Sequence, residues 1–130
     1  MKRVLLDTNF LIDLGRFGVS IDEIDRIVNE RYELTVLRAV LNELKSIAGT
    51  QQEESKFAKT ALMVLDLRGA KIVETERNEG GVDQKILEFA SNEKENVLVA
   101  TNDVELRKRL KNLGVRTICL RGKKHLILDY

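Results

Sequence analysis

The stretch Arg3-Val4-Leu5-Leu6-Asp7-Thr8-Asn9 decides the fold. Val4, Leu5 and Leu6 form too short a run for a helix and show no polar alternation, the pattern of a central strand in a parallel sheet covered on both faces. The run ends abruptly in an acid, a hydroxyl and an amide, so Asp7 stands at the strand's C-terminal end. In open α/β sheets the crevice outside that edge is where ligands bind. A second run, Asn96-Val97-Leu98-Val99-Ala100-Thr101-Asn102-Asp103, repeats the grammar and delivers a second carboxylate.

Working outward, Phe10 to Leu14 opens a short helix that Gly15 and Gly18 are expected to interrupt. Ser20-Ile21-Asp22-Glu23 has the form of a capping box before a helix with Ile24, Ile27 and Val28 on one face. Tyr32 to Leu37 reads as a strand, and Arg38 to Ala48 as a helix with Val40, Leu44 and Ile47 on one stripe. A further helix runs from about Ser55 to Arg68, followed by a strand from Lys71 to Thr75 and a Gly-Gly loop from Glu76 to Gly81. Helices from Val82 and from Asp103 to Asn112 flank the second organising strand, and Arg116 to Leu120 is the last strand. Strands separated regularly by helices predict a three-layer, doubly wound, parallel five-stranded sheet with right-handed crossovers. At 130 residues the chain fits a single domain, 1–130, with a core of useful size.

Composition removes several classes. The 22 Lys and Arg balance 21 Asp and Glu, so attraction to a polyanion has to come from local clustering and not from net charge. A single cysteine, Cys119, excludes an intramolecular disulfide and a cysteine-based zinc site, and its apolar setting, Thr117 to Leu120, predicts a buried structural thiol. No apolar stretch approaches the roughly 18 residues of a membrane span, and Met1-Lys2-Arg3 leads into no signal-peptide core. The expectation is a cytoplasmic protein with no membrane contact.

Four acids can converge at one edge. If the first and fourth strands are neighbours at the topological switch point, Asp7 and Asp103 face one another across the crevice. Asp83 starts a helix at the same edge, and Glu43 lies within about two turns of the end of the second strand. Each alone is ordinary: Asp is a common helix cap, and a helical Glu is usually solvated. Together they repel, by roughly 4 kcal/mol for a pair ~4 Å apart at an effective dielectric near 20. At least one should therefore have a raised pKa. Such a set suits a hard divalent cation, Mg²⁺ or Mn²⁺, and the reaction it serves is phosphodiester hydrolysis, in which the cation activates water and stabilises charge on the phosphoryl group. Thr8, Asn9, Thr101 and Asn102 are the neighbours expected to orient the carboxylates.

In these motifs the chain resembles the PIN domain ribonucleases: Asp7-Thr8-Asn9, Glu43 in Leu41-Asn42-Glu43-Leu44, Asp83 opening a helix, and Thr101-Asn102-Asp103. The resemblance covers nearly the whole chain and implies an Mg²⁺- or Mn²⁺-dependent endoribonuclease. More narrowly, Asp7 to Leu11, Phe17-Gly18-Val19, Ala100 to Asp103 and Leu120-Arg121-Gly122-Lys123-Lys124 resemble the archaeal PIN proteins related to small-subunit rRNA-processing nucleases. That likeness implies cleavage of a structured rRNA precursor and contact with ribosome-assembly proteins. The alternatives are a VapC-type toxin ribonuclease with an antitoxin partner, and a scaffold that binds RNA without cutting it. Haloacid dehalogenase-like phosphatases need a second Asp where this chain has Asn9, and response-regulator receivers need an Asp where it has Thr75 and Glu76.

Arg107, Lys108, Arg109 and Lys111 on one helix, and Arg121, Lys123 and Lys124 near the C-terminus, are candidate RNA contacts beside the acids. Individually they are ordinary solvated charges. Aromatic residues make up 5% of the chain, too few for base stacking to dominate, which predicts weak sequence preference. His125 is expected to be a surface or RNA-contact residue. The tail Leu126-Ile127-Leu128 is free to pack back on the sheet or onto a second copy in a homodimer.

Overall fold

The structure, a computed structural model, describes residues 1–75 and 80–129. Six strands, β1 (Lys2–Leu6), β2 (Tyr32–Leu37), β3 (Lys71–Val73), β4 (Val97–Ala100), β5 (Arg116–Arg121) and β6 (His125–Asp129), form one sheet in the order β3-β2-β1-β4-β5-β6. The helices are α1 (Thr8–Phe17), α2 (Ile24–Ile27), α3 (Arg38–Ala48), α4 (Glu54–Leu67), α5 (Val82–Asn92) and α6 (Val104–Asn112). The first five strands are parallel, and β1 lies between β2 and β4, with Leu6 opposite Ala100. Direction reverses at β1: the chain first winds outward to β3, then returns through α5 to β4. Right-handed crossovers therefore put α1, α3 and α4, which pack together, on one face, and α5 and α6 on the other. Val4, Leu5, Leu6, Val97, Leu98, Val99 and Ala100 are all buried, as strands covered on both faces require.

The sheet has six strands where five were expected, and it is mixed. Leu126-Ile127-Leu128 packs back as β6, antiparallel to β5, with Leu120 opposite Leu126 and Arg121 opposite His125. Leu126 is buried, so the tail covers the sheet edge and completes the core.

Three local expectations change, two of them for contacts distant in sequence. Gly15 does not interrupt α1. A Cβ there would lie 3.1 Å from Phe57 Cδ1, so Gly15 is where α4 approaches α1, and the helix ends only at Gly18, in the left-handed region at φ 65°. The capping box forms by half: the Ser20 hydroxyl accepts from Asp22 N at 3.1 Å, but the Glu23 carboxylate pairs with Arg26 at 2.7 Å. Beyond Ser20 the chain makes a 3-10 turn, Ile21–Glu23, and then the single-turn α2. The third strand stops at Val73 because its partner β2 ends at Leu37, opposite Val73, and turns into α3. Thr75 instead accepts the Ala39 N–H at 3.1 Å, satisfying part of the α3 N-terminus. Of the expected Gly-Gly loop, residues 76–79 lie outside the described residues.

Candidate active site

Asp7 follows β1 and caps α1, so one residue is both the end of the central strand and the start of a helix. Its backbone N–H still pairs with Ala100 O at 2.9 Å, which locks it against β4. The carboxylate is buried, 3% exposed, and both oxygens are held: Oδ1 accepts from Thr8 N at 2.8 Å and Oδ2 from the Thr101 hydroxyl at 2.7 Å. Burial pushes its pKa up to about 6; the two hydrogen bonds oppose this, and the charges of Asp83 and Glu43 add to it. A raised carboxyl pKa was expected from like charges, and desolvation proves the larger cause.

The residues after β4 are tied to the same point. Asn102 N donates to Asn9 Oδ1 at 2.9 Å, Asn102 Nδ2 donates to Asp13 Oδ2 at 2.9 Å, and Leu120 N donates to Asn102 Oδ1 at 2.8 Å. One asparagine thus joins α1, the end of β4 and β5. Thr101 Oγ1 also accepts from Asp103 N at 3.2 Å, and Asp103 caps α6, its Oδ1 accepting from Glu105 N and Leu106 N at 2.9 and 3.2 Å.

A cavity of about 490 Å³ opens at this edge, lined by Asp7, Thr8 and Asn9 from the first segment, Glu43 and Ile47 from α3, and Gly81 to Asp83 from the start of α5. Glu43 and Asp83 are exposed, and the Asp83 pKa is raised by partial burial, then by the charges of Asp103 and Glu43, with Arg109 acting against them. Three of the four acids therefore share one cavity. Asp103 is not part of its lining but stands close enough for its charge to reach Asp83.

Among the described residues no three Asp, Glu, His or Cys side chains are spaced as a ready-made metal-binding set. The donors nevertheless fit a hard cation. They are carboxylates in a cavity open to water, the most buried of them resists ionisation, and the buried Thr8 hydroxyl beside it has no hydrogen-bond partner among the described residues. Mg²⁺ in particular keeps several waters and is held through one or two carboxylates, which a loose set of acids can supply without a preformed cage.

Two charged residues of this cavity were not singled out from sequence, Asp13 and Arg16. The signal was helical spacing: Asp13 lies four residues after Asn9, and Arg16 three after Asp13, one face of α1.

The expected RNA contacts separate. Arg121, Lys123 and Lys124 are exposed at the tip of the β5–β6 hairpin, together with His125. Ala100, the last residue of β4, pairs with Ile118, so Arg121 stands three residues, roughly 10 Å, beyond it on the side of the sheet that carries Asp7. Lys123 takes φ 60° in the turn and sets its ammonium 5.3 Å from the Phe17 ring centroid. Lys108 and Lys111 are exposed on α6, Lys108 beside Glu105 at 3.7 Å. Arg107 turns inward, its Nη1 donating to Cys119 Sγ at 2.8 Å and its Nε buried. Cys119 is buried, and desolvation raises its thiol pKa.

A family model described as a PIN like domain matches residues 4–123. The chain belongs to the PIN-like domain family. Among its relatives, Ribonuclease VapC4 of Methanocaldococcus jannaschii is 32% identical over 127 residues, which cover 96% of this PIN-like chain and 95% of that protein. Among solved structures, that of the PIN domain endonuclease Utp24 superposes with a TM-score of 0.81 at 18% identity, covering 97% of this chain and 90% of the other. A domain of a functionally unknown protein from M. jannaschii superposes with a TM-score of 0.66 at 20% identity, covering 94% and 93%. At these identities the two structures speak for the PIN-like fold alone.

Proposed function

We propose that this chain is a divalent-metal-dependent endoribonuclease that hydrolyses RNA phosphodiester bonds. The observation that carries the reading is the cavity at the C-terminal edge of the central strands, where Asp7, Glu43 and Asp83 meet and Asp103 acts on Asp83. The relative named Ribonuclease VapC4 supports it. Asp7, Glu43, Asp83 and Asp103 would hold Mg²⁺ or Mn²⁺; when bound, such a cation neutralises the acids, activates water and stabilises the charge that builds on the phosphoryl oxygens.

The chain's own residues do the rest. Thr8 N and Thr101 Oγ1 fix both oxygens of Asp7, so its carboxylate is oriented before any ligand arrives. Asn9 and Asn102 hold the two strand ends together, which sets the separation of the acid-bearing segments. Lys108, Lys111, Arg121, Lys123 and Lys124 are the proposed contacts to the RNA backbone, with the hairpin tip rising beside the crevice. With so few aromatic side chains, target choice rests on RNA shape or on partners.

For the biological role, the motifs around Asp7, Gly18, Asp103 and Gly122 support processing of a structured rRNA precursor in small-subunit biogenesis. The similarity to Ribonuclease VapC4 favours a second reading, a toxin ribonuclease paired with an antitoxin. The test is incubation of an rRNA precursor, tRNA and unrelated RNA with wild type and Asp7→Asn, with Mn²⁺ and with chelator. Mn²⁺-dependent cleavage confined to the precursor supports processing. Cleavage of tRNA or of RNA at large supports the toxin, as would an antitoxin gene overlapping this one. Absence of cleavage with retained binding leaves the scaffold reading.

A further inference from the structure

Arg16 is the single cation among the described residues that line the acidic cavity, and the roles given above leave it unused. We propose that Arg16 forms a phosphate subsite there, binding a non-bridging oxygen of an RNA phosphate adjacent to the one that is cut. This deepens the ribonuclease reading and rests on it. Asp7, Asp13, Glu43 and Asp83 line the same cavity, so within its lining only Arg16 attracts a polyanion, while Arg109 acts on Asp83 from outside it.

The guanidinium is held for such a contact. It lies 5.4 Å from the Phe57 ring centroid, its Nε is 3.6 Å from Asp13 Oδ1, and its Nη2 donates to Glu54 Oε1 at 3.2 Å. Asp13 is itself fixed, because its other oxygen accepts from Asn102 Nδ2, and Asn102 is anchored by Leu120 N. The chain of contacts runs from β5 through Asn102 and Asp13 to Arg16 and ends on α4. Among the described residues nothing bonds to Nη1, and the side chain is 30% exposed, so one end of a pre-oriented fork remains for a ligand. The bland alternative is a tie between α1 and α4. That tie would depend on Glu54 as much as on Arg16, which separates the two roles.

The experiment measures binding of a short single-stranded RNA by the full chain carrying Asp7→Asn to suppress cutting. It compares Arg16→Ala, Arg16→Lys and Glu54→Gln, and repeats each with RNAs bearing one uncharged methylphosphonate linkage at each position in turn. Arg16→Ala should weaken binding roughly tenfold or more, Arg16→Lys by less, and Glu54→Gln not at all. At one linkage position, neutralisation should weaken binding to the Arg16 parent and leave Arg16→Ala indifferent. Equal losses for Arg16→Ala and Glu54→Gln, absence of any such linkage, or absence of RNA binding by the parent would overturn the subsite. Cleavage by the wild-type chain in Mn²⁺, measured alongside, tests the ribonuclease reading separately, since the binding cycle needs no turnover.

Discussion

Asp7→Asn should stabilise the metal-free protein at neutral pH, because burial holds the Asp7 carboxyl against ionisation. The folded-state pKa of about 6, against 3.8 for the free carboxyl, corresponds to about 3 kcal/mol. The sign comes from proton binding. Below pH 3.8 the carboxyl is protonated whether the chain is folded or not, and Asp7 costs nothing. Between 3.8 and about 6 the unfolded chain gives up the proton more readily than the folded one, so stability falls as pH rises, and above 6 the full cost is present. An amide carries no such charge. It can keep the bond from Thr8 N through its oxygen, while its NH₂ donates to Thr101 Oγ1, whose own hydrogen can turn to Asn9 Oδ1, 3.4 Å away. Chemical denaturation of both proteins in chelator, from pH 3.5 to 7.5, should show near-equal stability at the acid end and a difference opening through pH 4 to 6 to as much as about 3 kcal/mol. Mn²⁺ at neutral pH should narrow it, since a cation at a hundredfold excess over Kd adds roughly 2.7 kcal/mol to wild type and clearly less to the variant. A difference independent of pH, or a variant less stable than wild type at pH 7, would refute the reasoning that Asp7 is a carboxylate held against its ionisation.

Other expectations can be checked with the same proteins. Glu43→Gln, Asp83→Asn and Asp103→Asn should each greatly reduce Mn²⁺-dependent cleavage while the melting transition stays cooperative, because Glu43 and Asp83 are exposed and Asn caps α6 about as well as Asp103 does. Thr101→Val removes a bond that lowers the Asp7 pKa, so the acid limb of the pH–rate profile should move to higher pH. RNA affinity should fall with salt, and Lys124→Ala should flatten the log–log slope by roughly 0.7 to 1, as for one lost phosphate contact. Arg107→Ala should leave that slope unchanged and lower stability instead, since its guanidinium packs on buried Cys119.

The sequence was legible where a local pattern carries the information. The unbroken apolar runs of β1 and β4 marked strands covered on both faces, and their ending in polar residues placed Asp7 and Asp103 at the sheet's C-terminal edge. What pairs or packs at long range was not legible. Leu126-Ile127-Leu128 is too short to announce a strand, and only β5 beside it makes it one. Gly15 has the look of a breaker until Phe57, 42 positions away, shows why no side chain fits there. Asp13 and Arg16 drew no attention in the sequence because the partners that turn their helix face into a cavity wall, Asn102 and Glu54, come from remote segments. Arg107, alike in sequence to its basic neighbours, differs only in what lies under it.

The most direct test of the central claim is cleavage of RNA by purified wild type and Asp103→Asn, in Mn²⁺ and in chelator, with the ends of the products analysed. Attack by water needs no 2′-hydroxyl, so wild type in Mn²⁺ should cut even where the scissile nucleotide is 2′-deoxy and should leave no 2′,3′-cyclic phosphate, while Asp103→Asn and the chelated protein should not cut. Cleavage that survives chelation or the Asp103 substitution, or that yields cyclic phosphate, would contradict a site built from these four acids.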